Sequence, residues 1–248
     1  MDLGIDGKQA VVAASTSGLG LATAMALGEA GCTVVVNGRT EDRVKAAAEK
    51  VPNAVPIAAD ISTRQGATAF IDGATEALGG NIDILVTNGG GPPPGTFSET
   101  DIDAYDMALE MNLLAMASMA KAVIPRMQAQ SWGRIVAITS TSVHTPIPNL
   151  ILSNTARSGL TSLLKTLALE VVGNGITINT AQPGLHLTPR LEDLYGDGVA
   201  ELAEGQPSGR LGDPGDFGKA VAFLCSEQAN YITGVSLPID GGRFTQMQ

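Results

Sequence analysis

A chain of 248 residues with 44% hydrophobic and 16% charged side chains and 30 glycines is a packed, turn-rich globule, not a disordered or fibrous chain. A formal net charge of −10 cannot neutralise a run of phosphates, which argues against a general nucleic-acid binder but not against one phosphate held by a single arginine. Cys32 and Cys225 lack metal-ligand or disulfide-framework spacing and read as core residues.

In chain order, apolar runs at 10–14, 32–37, 54–58, 82–87, 134–139, 176–181 and 235–239 predict strands. They are short and alternate little, the pattern of strands buried on both faces of a parallel sheet. Helical patterns lie between them, near 19–30, 40–50, 63–79, 101–130, 150–173 and 214–228. This alternation predicts an α/β fold with a doubly wound, seven-stranded parallel sheet in three layers, as one domain over 1–248. No apolar run approaches the roughly 18 residues that span a bilayer, and Asp2 and Asp6 interrupt any export signal, so a cytoplasmic protein without a membrane partner is expected.

Ligands of such sheets bind beyond the carboxyl ends of the strands, so the residues after each strand carry the functional reading. The first strand runs into Ala13, Ala14, Ser15, Thr16, Ser17, Gly18, Leu19 and Gly20, a glycine-containing turn that opens a helix. Free N–H groups at a helix start favour a pyrophosphate, which makes Ser15, Ser17, Gly18, Leu19 and Gly20 candidate cofactor residues. The second strand ends at Asn37-Gly38-Arg39, without the acid that holds adenosine ribose hydroxyls. Arg39 suits a ribose 2′-phosphate instead, which favours NADP(H) over NAD(H). Asp60 and Ile61 follow the third strand, and Asn88 and Gly89 the fourth.

These residues resemble the short-chain dehydrogenase/reductase family over essentially the whole chain, in a divergent branch similar to 3-oxoacyl carrier-protein reductases. The family's TGxxxGxG motif falls on Ala13, Ala14, Gly18 and Gly20, and its NNAG element on Thr87, Asn88, Gly89 and Gly90. Asn112 matches the helix asparagine, Pro183 and Gly184 the post-strand pair, and Thr188 the carboxamide-binding position. The resemblance implies a Rossmann-type fold, a homotetramer paired through the helices near 101–130 and 150–173, and a substrate lid near 187–209.

It also implies a catalytic serine at Ser140. The tyrosine and lysine positions of YxxxK land on Ser153 and Arg157, framed by Ser158-Gly159-Leu160. An aliphatic hydroxyl is a far weaker acid than a phenol of pKa about 10, and arginine does not release a proton at neutral pH. Arg157 can still bind cofactor ribose. His144, His186 and Tyr195 are the alternative proton donors, His144 foremost. The stretch 89–95, Gly-Gly-Gly-Pro-Pro-Pro-Gly, reads as a stiff pocket wall or a rigid turn. The leading expectation is an NADP(H)-dependent oxidoreductase of a small carbonyl, alcohol or imine with an atypical acid–base site. The alternative is an NADP(H)-binding sensor or partner protein with little turnover.

Overall fold

A computed structural model describes residues 2–245. Strands β1 (Gln9–Val12), β2 (Thr33–Gly38), β3 (Ala54–Ala58), β4 (Ile84–Thr87), β5 (Gly133–Ile138), β6 (Ile176–Pro183) and β7 (Ser236–Ile239) form one sheet in the order β3-β2-β1-β4-β5-β6-β7. Every neighbouring pair is parallel. The register sets Val11 beside Val35 and Leu85, and Val136 beside Val86 and Asn179. The expected doubly wound αβα sheet is therefore present.

Each face of the sheet has its own core, which is why the strands carry no polar side. Phe70, Ile71, Met119, Met127, Ile135 and Ile178 fill one side, under α3 (Arg64–Ala77), α5 (Ala115–Ala129) and α6 (Ile151–Val171). Leu27, Val34, Val36, Ile84, Phe217 and Val221 fill the other, under α1 (Gly18–Glu29), α2 (Glu41–Ala48) and a C-terminal helix, Pro214–Leu224. Burial of one such side chain contributes about 1.5–3 kcal/mol. The sequence leaves β3 to begin β4 on the far side of β1. That reversal opens a crevice between the carboxyl ends of β1 and β4.

Three differences from the sequence expectation bear on the site. The helix expected near 101–130 is α4 (Ala104–Leu109), a π-helical segment at Glu110–Leu114, then α5. Together they form a helix of 26 residues, Ala104–Ala129, whose window of mean hydropathy 1.4 is long and apolar enough to cross a membrane by length and composition. That corrects the expectation that no such run exists. Here Met116, Met119, Val123 and Met127 pack into the sheet core. The stretch expected as an unpatterned lid contains α7 (Pro189–Tyr195) and α8 (Val199–Glu204), joined by a 3-10 turn. Thr188 caps α7 by accepting from the Leu191 N–H at 3.4 Å, and Pro189 occupies its first position. The C-terminal helix, Pro214–Leu224, is α9.

Candidate active site

The turn between β1 and α1 is fixed by polar groups beneath it. Ala14 adopts φ +47°, a left-handed conformation that L residues rarely take. Its N–H donates to Asn37 Oδ1 at 3.1 Å, and its carbonyl accepts from Asn88 Nδ2 at 3.1 Å. Asn37 Nδ2 donates in turn to the carbonyls of Ile57 and Ala59 at 3.3 and 3.2 Å. The ends of β1, β2, β3 and β4 are thus tied to one loop.

Two residues expected to touch a cofactor belong to this scaffold instead. Ser15 is fully buried, donates to the Val12 carbonyl at 2.7 Å and accepts from the Asn37 N–H at 2.9 Å, so its hydroxyl is committed. Gly20 is also buried; a Cβ there would lie 2.5 Å from the Ala14 carbonyl oxygen and 2.7 Å from Asn88 Nδ2. It lets the helix approach the loop closely and is not among the residues that line the cleft above.

Above this scaffold lies a cleft of about 890 Å³ that runs along the carboxyl ends of the strands. Ser17, Gly18, Leu19, Arg39, Asp60, Ile61, Asn88, Gly89, Arg157, Pro183 and Thr188 all line it, as the sequence reading expects. Gly184 does not: its N–H donates to the Ile239 carbonyl at 3.1 Å, and a Cβ would strike Asp240 at 2.7 Å. Thr40, Arg43, Gly91, Thr139 and Arg190 line the cleft as well. Of these, Arg43 had a signal, a second cation four residues beyond Arg39; Arg190 lay in a stretch without a readable pattern. Four arginines, Arg39, Arg43, Arg157 and Arg190, face one carboxylate, Asp60, among the described residues that line it. In a chain of net charge −10 this concentrates positive potential in one crevice.

Of the expected catalytic set, only Arg157 is among the described residues that line the cleft; Asn112, Ser140, Ser153 and His144 are not. Arg157 lines the cleft and is held rigidly, donating from Nη1 to the carbonyls of Ile138 and Thr139 at 3.0 and 3.3 Å. Its Nε donates to Ser153 Oγ at 3.2 Å, one turn earlier on α6. Burial first, and the nearby Arg190 charge second, lower its pKa to about 10. Ser140 begins the 3-10 turn after β5, its Oγ accepting from the Ser142 N–H at 3.1 Å. Asn112 sits in the π-helical segment, nearly fully buried, with both side-chain polar atoms unpartnered. Such bulges recur at functional sites, and this one holds a buried amide beside Met111, which lines the cleft.

A family model described as enoyl-(acyl carrier protein) reductase matches residues 13–243. The chain belongs to the short-chain dehydrogenase/reductase family. It is 34% identical over 254 aligned positions to the human dehydrogenase/reductase SDR family member 4, covering 95% of this chain and 87% of that one. It is 32% identical to the 3-oxoacyl-[acyl-carrier-protein] reductase of Aquifex aeolicus, covering 98% and 100%. Among solved structures, an L-sorbose reductase from Gluconobacter frateurii, complexed with NADPH and L-sorbose, superposes over all of both chains with TM-score 0.91 at 30% identity. A 7α-hydroxysteroid dehydrogenase complexed with NADH superposes over 100% of this chain and 98% of that one with TM-score 0.92 at 27% identity.

For this short-chain dehydrogenase/reductase, none of the three alternative acids lines the cleft among the described residues. His186 is buried, edge-on to Phe217 at 5.2 Å, with Nδ1 3.4 Å from the Gly184 carbonyl. Burial lowers its pKa, so the neutral form is favoured. Tyr195 lies at the exposed end of α7. His144 rests against Phe244 at 4.8 Å, and its buried Nε2 has no partner.

Proposed function

We propose that the chain is an NADP(H)-dependent oxidoreductase of small carbonyl, alcohol or imine substrates. Its acid–base site is atypical, with Ser153 and Arg157 in place of a tyrosine and lysine. The observation that carries the reading is the placement of Arg39 and Arg43 together at the β2 end of a cleft that continues to Arg157, Pro183 and Thr188. A ribose 2′-phosphate would lie between the two guanidinia, and the N-terminus of α1 would face a pyrophosphate. Asp60 and Ile61 would contact the adenine end, Asn88 and Gly89 the neighbouring ribose, Arg157 the nicotinamide ribose, and Thr188 the carboxamide. The bound nicotinamide supplies the hydride.

The proton has a separate origin. Because Ser153 Oγ accepts from Arg157 Nε, its own O–H is free to donate to a substrate oxygen. That polarises a carbonyl without making serine a strong acid. Arg157 stays charged at neutral pH even with its lowered pKa. The proton then comes from water or the ribose, since His144 does not line the cleft, and a substrate already protonated, such as an iminium, needs no strong acid. The unoccupied acid position supports the second reading, an NADP(H)-binding sensor with little turnover. We further hold the protein to be a cytoplasmic homotetramer with a lid at 187–209. The exposed Leu169 and Val172 at the end of α6 suit the subunit contact.

Calorimetric titration tests the cofactor assignment. NADPH should bind more tightly than NADH, and Arg39→Ala with Arg43→Ala should narrow the gap by about 10-fold or more, since a charged hydrogen bond contributes roughly 1.5–3 kcal/mol. Equal affinities in the unmodified protein would remove both arginines from this role.

A further inference from the structure

Two cations in the cleft are left without a counter-charge by the cofactor reading. The 2′-phosphate takes Arg39 and Arg43, and the pyrophosphate takes the start of α1. Arg157, whose contact to the nicotinamide ribose is to uncharged hydroxyls, and Arg190 remain, and neither has a carboxylate partner among the described residues. They come from opposite sides. Arg157 projects from α6 and is anchored on the end of β5. Arg190 projects from α7 at the exposed rim and lies on the bare face of Gly91, where a Cβ would be 2.5 Å from its Nη2.

The glycine–proline stretch 89–95 connects the two positions along the cleft. Gly89 and Gly91 line the cleft, and Pro92, Pro93 and Pro94 stiffen the rest of the stretch. At its far end the Gly95 N–H donates to the Asn149 carbonyl at 2.7 Å, and the Gly95 carbonyl accepts from the Ile151 N–H at 3.3 Å. Ile151 begins α6, the helix that carries Ser153 and Arg157. The wall therefore runs from the seat of Arg190 to the root of the helix that holds Arg157. Both guanidinia line the one cleft, and no carboxylate other than Asp60 does so among the described residues. A pair of like charges so held is stabilised by an anion between them.

Resting on the oxidoreductase reading, we infer that the substrate carries a carboxylate next to its reducible carbonyl or imine carbon, held between Arg157 and Arg190 while Ser153 donates to the reacting heteroatom. The 2-oxo acids and their imines are the class that fits. In the reduction, hydride from NADPH forms the new C–H bond at the carbonyl carbon, the C=O π pair moves to oxygen and solvent supplies the proton. NADP⁺ and a 2-hydroxy acid leave.

The test compares benzoylformate with its neutral methyl ester, using the intact protein. Benzoylformate should bind to the NADP⁺ complex, which cannot reduce it, in a calorimetric titration, and with NADPH kcat/KM should favour it over the ester by roughly 10- to 100-fold. Arg190→Gln should lower that ratio toward one, chiefly through KM for the acid, and Arg190→Lys should restore part of it. Gly91→Ala, which displaces the guanidinium without removing it, should lower the ratio in the same direction. Ester preference, or no benzoylformate binding while NADPH binds normally, overturns the inference and leaves the oxidoreductase reading standing. Weakened NADPH binding in Arg190→Gln with an unchanged ratio assigns this arginine to the cofactor and likewise overturns it. Failure of NADPH to bind the unmodified protein removes both.

Discussion

Ala14 holds a left-handed backbone conformation at a position where the family's motif has glycine, and its amide and carbonyl are both in use. Left-handed φ costs a non-glycine residue about 1–2 kcal/mol, against about 0.4–1 kcal/mol for the extra freedom glycine gives the unfolded chain. Ala14→Gly should therefore raise the thermal midpoint by about 1–4 °C in scanning calorimetry; a fall would show that the methyl group contributes packing that outweighs the strain. Ser153 and Arg157 pose the chemical question at the same scale. The double change Ser153→Tyr and Arg157→Lys should raise kcat on simple ketones, because a positioned general acid contributes typically ~100- to 10,000-fold. Unchanged rates with a folded protein would show that the pocket cannot seat a phenol. The sequence made most cleft-lining residues legible, since strand ends locate them. Ser15, Gly20 and Gly184 lie outside the cleft lining, and the sequence does not mark them off, because a small residue at a turn looks the same whether it lines a cleft or packs under the loop that does.

The strands were readable as elements because both faces are buried, which leaves continuous β-branched runs such as Val34, Val35 and Val36. The π-helical segment at Glu110–Leu114 was not, since one extra residue in a helical turn leaves no mark on composition. The helices of 187–209 were hidden for another reason: α7 and α8 are short and mostly exposed, so they lack the apolar period that reveals a helix. The root of this stretch is nevertheless firmly held. The Leu187 N–H donates to the Gly212 carbonyl at 3.0 Å and the Gly212 N–H to the Leu185 carbonyl at 2.9 Å, with His186 wedged between Gly212 and Phe217. Burial depresses the folded-state pKa of His186 below its unfolded value near 6.5. Below that pH the unfolded chain binds the proton more readily, so this contribution to stability is present above about 6.5 and declines as pH falls toward the folded pKa. His186→Gln should flatten the decline of the thermal midpoint between about pH 6.5 and 5; a slope identical to that of the unmodified protein would assign it to the surrounding carboxylates.

For the molecule as a whole, strand–helix alternation and mostly unalternating strands were enough to foresee one parallel sheet with helices on both sides. The order β3-β2-β1-β4-β5-β6-β7 then dictates where a ligand can lie, and the cationic crevice is found there. What one sequence does not encode is turnover, because fold and cofactor cradle are shared by enzymes and by sensors. Hydride transfer distinguishes them. NADPH deuterated at the transferable position should be incubated with the unmodified protein and a panel of aldehydes, ketones, 2-oxo acids and imines, and the products examined by mass spectrometry. An oxidoreductase places one deuterium on the former carbonyl or imine carbon of at least one product, with stoichiometric loss of NADPH, and that is the expected result. Tight NADPH binding with no label in any product would contradict it and leave the sensor.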